Sequence, residues 1–481
     1  MTADPLAQLI ATEGERDRDW ISLNFVLGQL APKIREAVFA AAVPHWFDFE
    51  LLSTLVSQTN TLTKKDFKRL ISLSFVERFP DRGYNIHEST RSLILKRLST
   101  HVPELLRQYS REAAKYFHSA RKLGDSWLIE EVYHLTVTGD ASFLDVLDYG
   151  QTFQMKYKHG ETETLCRTIL ECRQFIKLPK EILAACYSLI GTSYDHFGKT
   201  SSAKDAIRSA LNLKVDNDAF NADCWADLAG IEYTLDERLL ALRHYSKALA
   251  FYDQEGDDYF VADCLLHMAG ILWLEKKQEK AISNANRALK RFSTVKAVDG
   301  VARCYNFLGM VALERGRFKL AGDRYNTALK YARDARAIMT IIISSVGLAE
   351  VEIERRDFPS ARKLIISALR KANKIKSAPL YAEARIVDAL LEYNLARYDK
   401  AEKKALEAAK LFEEVEDRHR ESDAWDLLAV VYESMNELEK ALDCTVKARR
   451  LFQAASKRTL PRYADHMAEL KRALRLQKKR K

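Results

Sequence analysis

No run of about 18 apolar residues occurs in this 481-residue chain, so no membrane-spanning helix and no membrane contact are expected. The first residues carry Asp4, Glu13 and Glu15 where a secretory leader would place a basic and then an apolar segment, which points to the cytoplasm. Seven cysteines include no C-x-x-C pair, and His and Cys residues stand singly, not in ligand sets, so no metal site is expected. H-E-x-x-H, G-x-S-x-G and G-x-G-x-x-G are all missing. Gly198-Lys199-Thr200 ends as a phosphate-binding loop does, but that loop needs a glycine where Ser193 stands and a strand before it. The expectation is a protein without catalytic residues, cofactor or metal.

What is present is a period. Ala203, Ala241, Ala281, Ala321, Ala361, Ala401 and Ala441 follow at steps of 38 and then 40 residues. Twelve residues before each stands Gly191, Ala229, Ala269, Gly309, Ala349, Ala389 or Ala429, and seven after each Ala210, Ala248, Ala288, Ala328, Ala368, Ala408 or Ala448. In the fourth unit Tyr305, Leu308 and Gly309 lie on one helical face, Gly316 interrupts, and Leu320, Ala321, Tyr325 and Ala328 lie on the next. Each unit therefore reads as helix, tight turn, helix, with small residues where the two axes cross. Repetition at this length predicts a solenoid, whose product is a long surface.

These units resemble tetratricopeptide repeats from Ile182 to Gln453, with the family's aromatic positions at Trp225, Tyr305 and Trp425 and at Tyr245 and Tyr325. The unit exceeds the family's length of about 34 residues, which implies longer helices or a longer linker. The sixth unit departs most, with Arg385 and Asp388 in place of an aromatic and a leucine. Cys186, Cys224, Cys264 and Cys304 share one slot of successive units and read as packing residues. One or two weaker helix pairs are expected between Asp125 and Phe175.

The front is different. Pro32 suits the first turn of a helix carrying Ile34, Val38 and Phe39. Asp48 is a candidate N-cap for a second helix, and Thr63 with Asp66 opens a third, Lys64 to Leu73. Phe75 to Phe79, the turn Pro80-Asp81-Arg82-Gly83, and Tyr84 to His87 read as a β-hairpin, followed by a helix from about Ser89 to Leu98. Its wording, from Leu30-Ala31-Pro32 through Phe47-Asp48-Phe49-Glu50-Leu51-Leu52 and Phe75-Val76-Glu77-Arg78 to Tyr84-Asn85-Ile86-His87, is similar to the winged-helix segment of signal-transduction ATPases with numerous domains. In that family the histidine closing the wing senses nucleotide. Only 22 residues precede the segment here, so no ATPase core is expected and His87 is expected to serve structure or an interface.

The overall expectation is mainly α: an arm (1–22), a winged helix (23–100), a helical connector (101–180), about seven extended repeats in a right-handed α-solenoid (181–455), and a C-terminal cap with a basic tail (456–481). Residues 456–481 hold ten basic and two acidic residues, nearly the whole net charge of +9. That tail reads as a solvated capping helix, with Met467, Leu470 and Leu474 on one face, or as a contact for an acidic partner.

Two surfaces remain. Lys64, Lys65, Lys68 and Arg69, with Arg78 and Arg82 by the wing, could neutralise DNA phosphates as in helix-turn-helix proteins. The family's concave-face register gives Tyr233, Leu266, Trp273, Asn306, Met310, Leu313, Val346, Ile353, Ile386, Leu390 and Tyr393, an apolar strip flanked by Asp223 and Asp263 and by Asp423, Asp426 and Glu433. The sequence leaves open whether this strip is exposed or buried against neighbouring units and the C-terminal helix. An exposed strip marks an interaction site, with an amphipathic helix as its natural guest. The expected function is a non-catalytic adaptor, scaffold or sensor for a protein or peptide, a separate ATPase or protease being a candidate partner; the alternative is a transcription regulator touching DNA through the winged helix.

Overall fold

The computed structural model describes residues 18–57, 61–456 and 461–480. Most of the expected arm 1–22, and the side chains of the basic end 478–481, lie outside the described residues. The chain divides into two compact units, Met1–Ile190 and Gly191–Lys481, with the division inside the helix Lys180–His196.

In the first unit, helix Arg18–Gly28 precedes Pro32–Ala41, which has Pro32 in its first turn. Asp48 caps Phe49–Val56 by accepting from the Leu51 amide at 2.8 Å. Thr63 and Asp66 cap each other's amides at the start of Lys64–Leu70, which ends three residues earlier than expected. Strands Val76–Phe79 and Gly83–Ile86 pair antiparallel. Tyr84 also exchanges backbone hydrogen bonds with Phe47, tying the hairpin to the helices. Gly83 has φ +100°, and a Cβ there would sit 2.5 Å from the Phe47 carbonyl oxygen, so glycine is required. Helices Glu88–His101 and Pro103–Ser119 follow, and the span expected to hold one or two pairs contains Asp125–Thr138, Phe143–Met155 and His159–Glu171.

A charged cluster lies inside this unit. The His45 ring stands 2.8 Å from Glu130 and 3.0 Å from Glu171. Burial opposes charge on His45, but the two carboxylates outweigh it and hold its pKa above the ordinary value. A raised histidine stabilises fully below its unfolded pKa and loses that contribution as pH climbs through the folded one. His45→Leu strands Glu130 without its partner and is expected to cost about 2–3 kcal/mol at pH 6. In thermal melts, the gap between wild type and variant should narrow as pH rises above the ordinary histidine range.

The second unit is the repeat array. From the third to the sixth repeat both helices run 17 residues. One left-handed residue recurs in each turn: Asp236, Gly256, Lys276, Lys296, Gly316, Arg336, Arg356, Lys376, Ala396, Glu416 and Asn436. The next amide then reaches back to close the helix end, as Lys277 does to Leu272 at 2.9 Å and Asp357 to Glu352 at 2.8 Å. Helix length, not linker length, therefore makes the period 40. Ala396 is exposed and holds this conformation at a steric cost. Ala396→Gly should raise stability by about 1 kcal/mol in urea titrations.

Ala203, Ala241, Ala281, Ala321, Ala361, Ala401 and Ala441 are all 0% exposed. A Cβ on Gly191 would fall 2.6 Å from Ile207 Cδ1, and one on Gly309 would fall 3.1 Å from the Tyr325 ring. The small columns thus sit where helices cross, with no room for larger side chains. In the sixth repeat, ion pairs replace the missing apolar packing: Arg385 binds Asp388 and Glu407, each at 3.1 Å, and Lys404 reaches Asp388 at 2.8 Å and Glu392 at 2.9 Å.

The array also meets itself. His196 Nε2 lies 3.1 Å from the Ile375 carbonyl. The Thr200 hydroxyl donates to the Val415 carbonyl at 3.0 Å, and the Ser201 amide to Glu416 at 2.8 Å. The turn of the first repeat therefore rests on the turn between the sixth and seventh, and the solenoid completes one circuit. Helix Pro461–Arg480 caps the end, burying Tyr463 and Leu470.

Candidate functional site: the lumen of the repeat array

A coiled stack of helix pairs turns its first helices inward, and here the circuit closes around them. Tyr233, on the second repeat, is 37% exposed, yet Arg420 and Asp417 of the seventh lie within its electrostatic reach, as does Glu383 of the sixth. Glu350 likewise feels Arg420, Glu383 and Asp423. The first-helix faces left open to solvent are thus drawn together across a lumen.

That lumen is acidic. Crowding by protein, with Asp223, Asp195 and Asp263 near, pushes the Asp227 carboxyl up to about 7. Burial raises Glu350 to about 7 against the pull of Arg420, and raises Asp195 to about 6. Solvent still reaches all three. Carboxyls that solvent reaches although protein surrounds them fit a concave face. Two arginines compensate locally: Arg303 binds Asp263 at 2.6 Å, and Arg420 binds Glu383 at 2.9 Å. Burial depresses His267 despite Asp263 nearby, so it adds little positive charge at neutral pH. Apolar side chains interrupt the acids, with Ile343 and Val430 exposed and Met310 and Leu390 half-buried.

The residues named from the concave register divide. Leu266, Trp273, Val346 and Ile353 are buried, and buried Asn306 accepts from the Ser344 hydroxyl at 2.7 Å. Tyr233 is exposed, and Met310, Leu313, Ile386, Leu390 and Tyr393 are half-buried. A continuous exposed apolar strip is therefore not formed: five of its eleven members are buried. Of the flanking acids, Asp426 is held by Arg462 at 2.9 Å and Glu433 by His466 at 3.2 Å, both from the C-terminal helix. Asp195, Asp227, Glu350, Glu383 and Arg420 were not among the residues the register selects. Asp223 with Asp227, one helical turn apart, is the sequence signal that would have found this face.

In the first unit, Lys64, Lys65, Lys68, Arg69 and Arg78 are exposed. Arg82 is half-buried, its guanidinium 6.0 Å from the Trp46 ring and 5.9 Å from Phe79. His87 is exposed, with Nδ1 3.0 Å from the Ser89 hydroxyl. Among the described residues no helix is long and apolar enough to cross a membrane.

No protein-family model and no curated protein matches the sequence. Solved structures do match in fold. A Rap protein complexed with Competence and Sporulation Factor is 15% identical, with a TM-score of 0.51 over 79% of this chain and 98% of that one. A signal-transduction ATPase with a tetratricopeptide-repeat sensor from Pyrococcus horikoshii is 13% identical, with a TM-score of 0.49 over 95% of this chain and 69% of that one. The apo quorum sensor NprR from B. thuringiensis is 14% identical, with a TM-score of 0.48 over 76% of this chain and 98% of that one. At these identities the likeness concerns architecture: the array is a tetratricopeptide-type α-solenoid.

Proposed function

We propose that the chain is a non-catalytic interaction module, an adaptor or sensor, whose repeat array holds a polypeptide segment in its lumen. The observation that carries this reading is the accessible, acidic, apolar-studded passage around Asp227, Glu350 and Tyr233. Carboxyls kept in crowded surroundings with too little counter-charge destabilise the empty array, and a guest bearing Lys or Arg relieves that cost. The guest is therefore a cationic segment more than the purely apolar helix face expected of an exposed strip. The Rap protein of like fold, solved with its Competence and Sporulation Factor, lends the reading support by analogy alone.

Selection from a random peptide library on the full chain tests it. Enrichment in Lys and Arg is expected, with affinity falling as salt rises and dropping about tenfold in Asp227→Asn/Glu350→Gln. Enrichment of neutral or acidic peptides, or of none, would refute the reading. The same variant has a signature without ligand. Acids raised in the folded state stabilise it only while protonated, so wild-type stability declines as pH climbs from about 4 to about 7. The double variant should melt higher than wild type at pH 8, and the difference should vanish near pH 4.

The segment 23–100 is proposed to be a winged helix, with 101–180 its connector to the repeats. The exposure of Lys64, Lys65, Lys68 and Arg69 beside the hairpin favours a second reading, contact with DNA phosphates. If so, Lys64→Glu/Lys65→Glu/Lys68→Glu abolishes duplex binding at moderate salt; equal retention by both proteins would dismiss it.

A further inference from the structure

Four repeats, the second, fourth, sixth and seventh, fill one recurring space with a bulky side chain, and the fifth repeat leaves it open. In the second and seventh repeats Trp225 lies 3.8 Å beneath Lys247, and Trp425 lies 3.9 Å beneath Lys447. In the fourth, Tyr305 stacks on Tyr331 with ring centres 6.0 Å apart, and Arg324 stands 5.4 Å from the Tyr305 ring. The sixth uses Arg385 and Glu407 at 3.1 Å. Counting 40 residues on, the fifth repeat has Ser345 for Tyr305, Ser367 for Thr327 and Lys371 for Tyr331. A cavity of about 500 Å³ results, bounded by Ser345, Ser367 and Lys371 and floored by Ile341, Leu348 and Leu364.

The rim is cationic. Arg333, Lys363 and Lys371 reach it, against Glu352 and Asp357. Both carboxylates are already engaged, Asp357 with the Ser360 amide at 3.2 Å and Glu352 with Arg355 at 3.3 Å. Lys371 donates to Ser367 at 2.7 Å, while Arg333 and Lys363 have no ion-pair partner among the described residues. Apolar floor, a ring-sized vacancy and unpaired cations at the mouth are the recognition elements of a small aromatic anion.

We infer that this cavity binds a small aromatic carboxylate, the ring replacing the absent tyrosine and the carboxylate meeting Lys363, Lys371 and Arg333. The site is separate from the lumen: Ser345 and Leu348 line the cavity, whereas Glu350 of the same helix faces inward. The inference does not depend on what the lumen holds.

Calorimetric titration of the full chain with indole-3-carboxylate, with hexanoate and neutral indole as comparison probes, tests it. Saturable one-site binding of indole-3-carboxylate is expected, at least about tenfold tighter than either comparison probe. Lys363→Gln/Lys371→Gln should weaken it about tenfold, and Ser345→Ala, which keeps the space, should leave it within about twofold. Ser345→Tyr restores the ring, so it should abolish binding and raise the melting temperature. Absence of saturation, equal binding of indole, or undiminished binding by Ser345→Tyr or by the double-lysine variant would overturn the inference. Should Ser345→Tyr fail to fold, the lysine variant and the probe comparison still decide the matter.

Discussion

Ala321→Leu is expected to lower stability by about 3 kcal/mol or more, whereas Lys319→Leu, two residues away, should change it by less than about 0.5 kcal/mol. Ala321 is wholly buried in a cluster with Ala312, Tyr325, Leu348 and Val351, at the crossing of helices Val298–Glu314 and Phe318–Asp334. Three added carbons have no empty space to enter there, so the helices must part or the side chain must strain. Lys319 is exposed and meets no such limit. For a unit of this size the difference corresponds to roughly 6–12 °C in melting temperature, read by circular dichroism. Because each repeat contacts mainly its neighbours, the damage should spread from the fourth repeat and make the transition less cooperative.

Gly198→Val should be as damaging, for a different reason. Gly198 has φ +75°, a region a β-branched residue avoids, and its added Cβ would lie 2.3 Å from Val415 Cγ1. The substitution combines local strain with loss of the contact that closes the circuit. Gly256→Ala is the control: its φ is +71° but nothing stands within 4 Å, so only the backbone cost of about 1 kcal/mol applies. In Gly198→Val the Ser201 amide, which now donates to Glu416, should exchange hydrogen much faster, and lumen binding should fall with it.

What could be read in the chain beforehand follows from how local each feature is. The alanine and glycine columns were legible because close helix crossings dictate residue size directly. Asp48, and Thr63 with Asp66, declared two helix starts because caps act within three residues. The cause of the 40-residue period was not legible, since most left-handed turn positions carry Lys, Arg, Ala, Glu or Asn where glycine would have marked the helix end. The sequence left the exposure of the inner face open for a geometric reason. Coiling of the longer helices buries Leu266, Trp273, Val346 and Ile353 between units and turns Asp227 and Glu350 inward. Likewise the approach of His196 to Ile375 and of Thr200 to Val415 depends on superhelical pitch, which no single repeat encodes. The His45–Glu130–Glu171 cluster joins residues 85 and 126 positions apart and left no mark in the local pattern.

The central claim is that stacked helix pairs complete a circuit and so enclose the lumen. Ser201 and Glu416 are both exposed, and all seven native cysteines are buried and cannot compete. Treated in the native state with a short bis-maleimide, Ser201→Cys/Glu416→Cys should form an intramolecular thioether bond through the reagent, identified by peptide mass mapping, with an unchanged helical spectrum. Failure to form that bond in the folded chain, or its formation only after denaturation, would contradict the closed circuit.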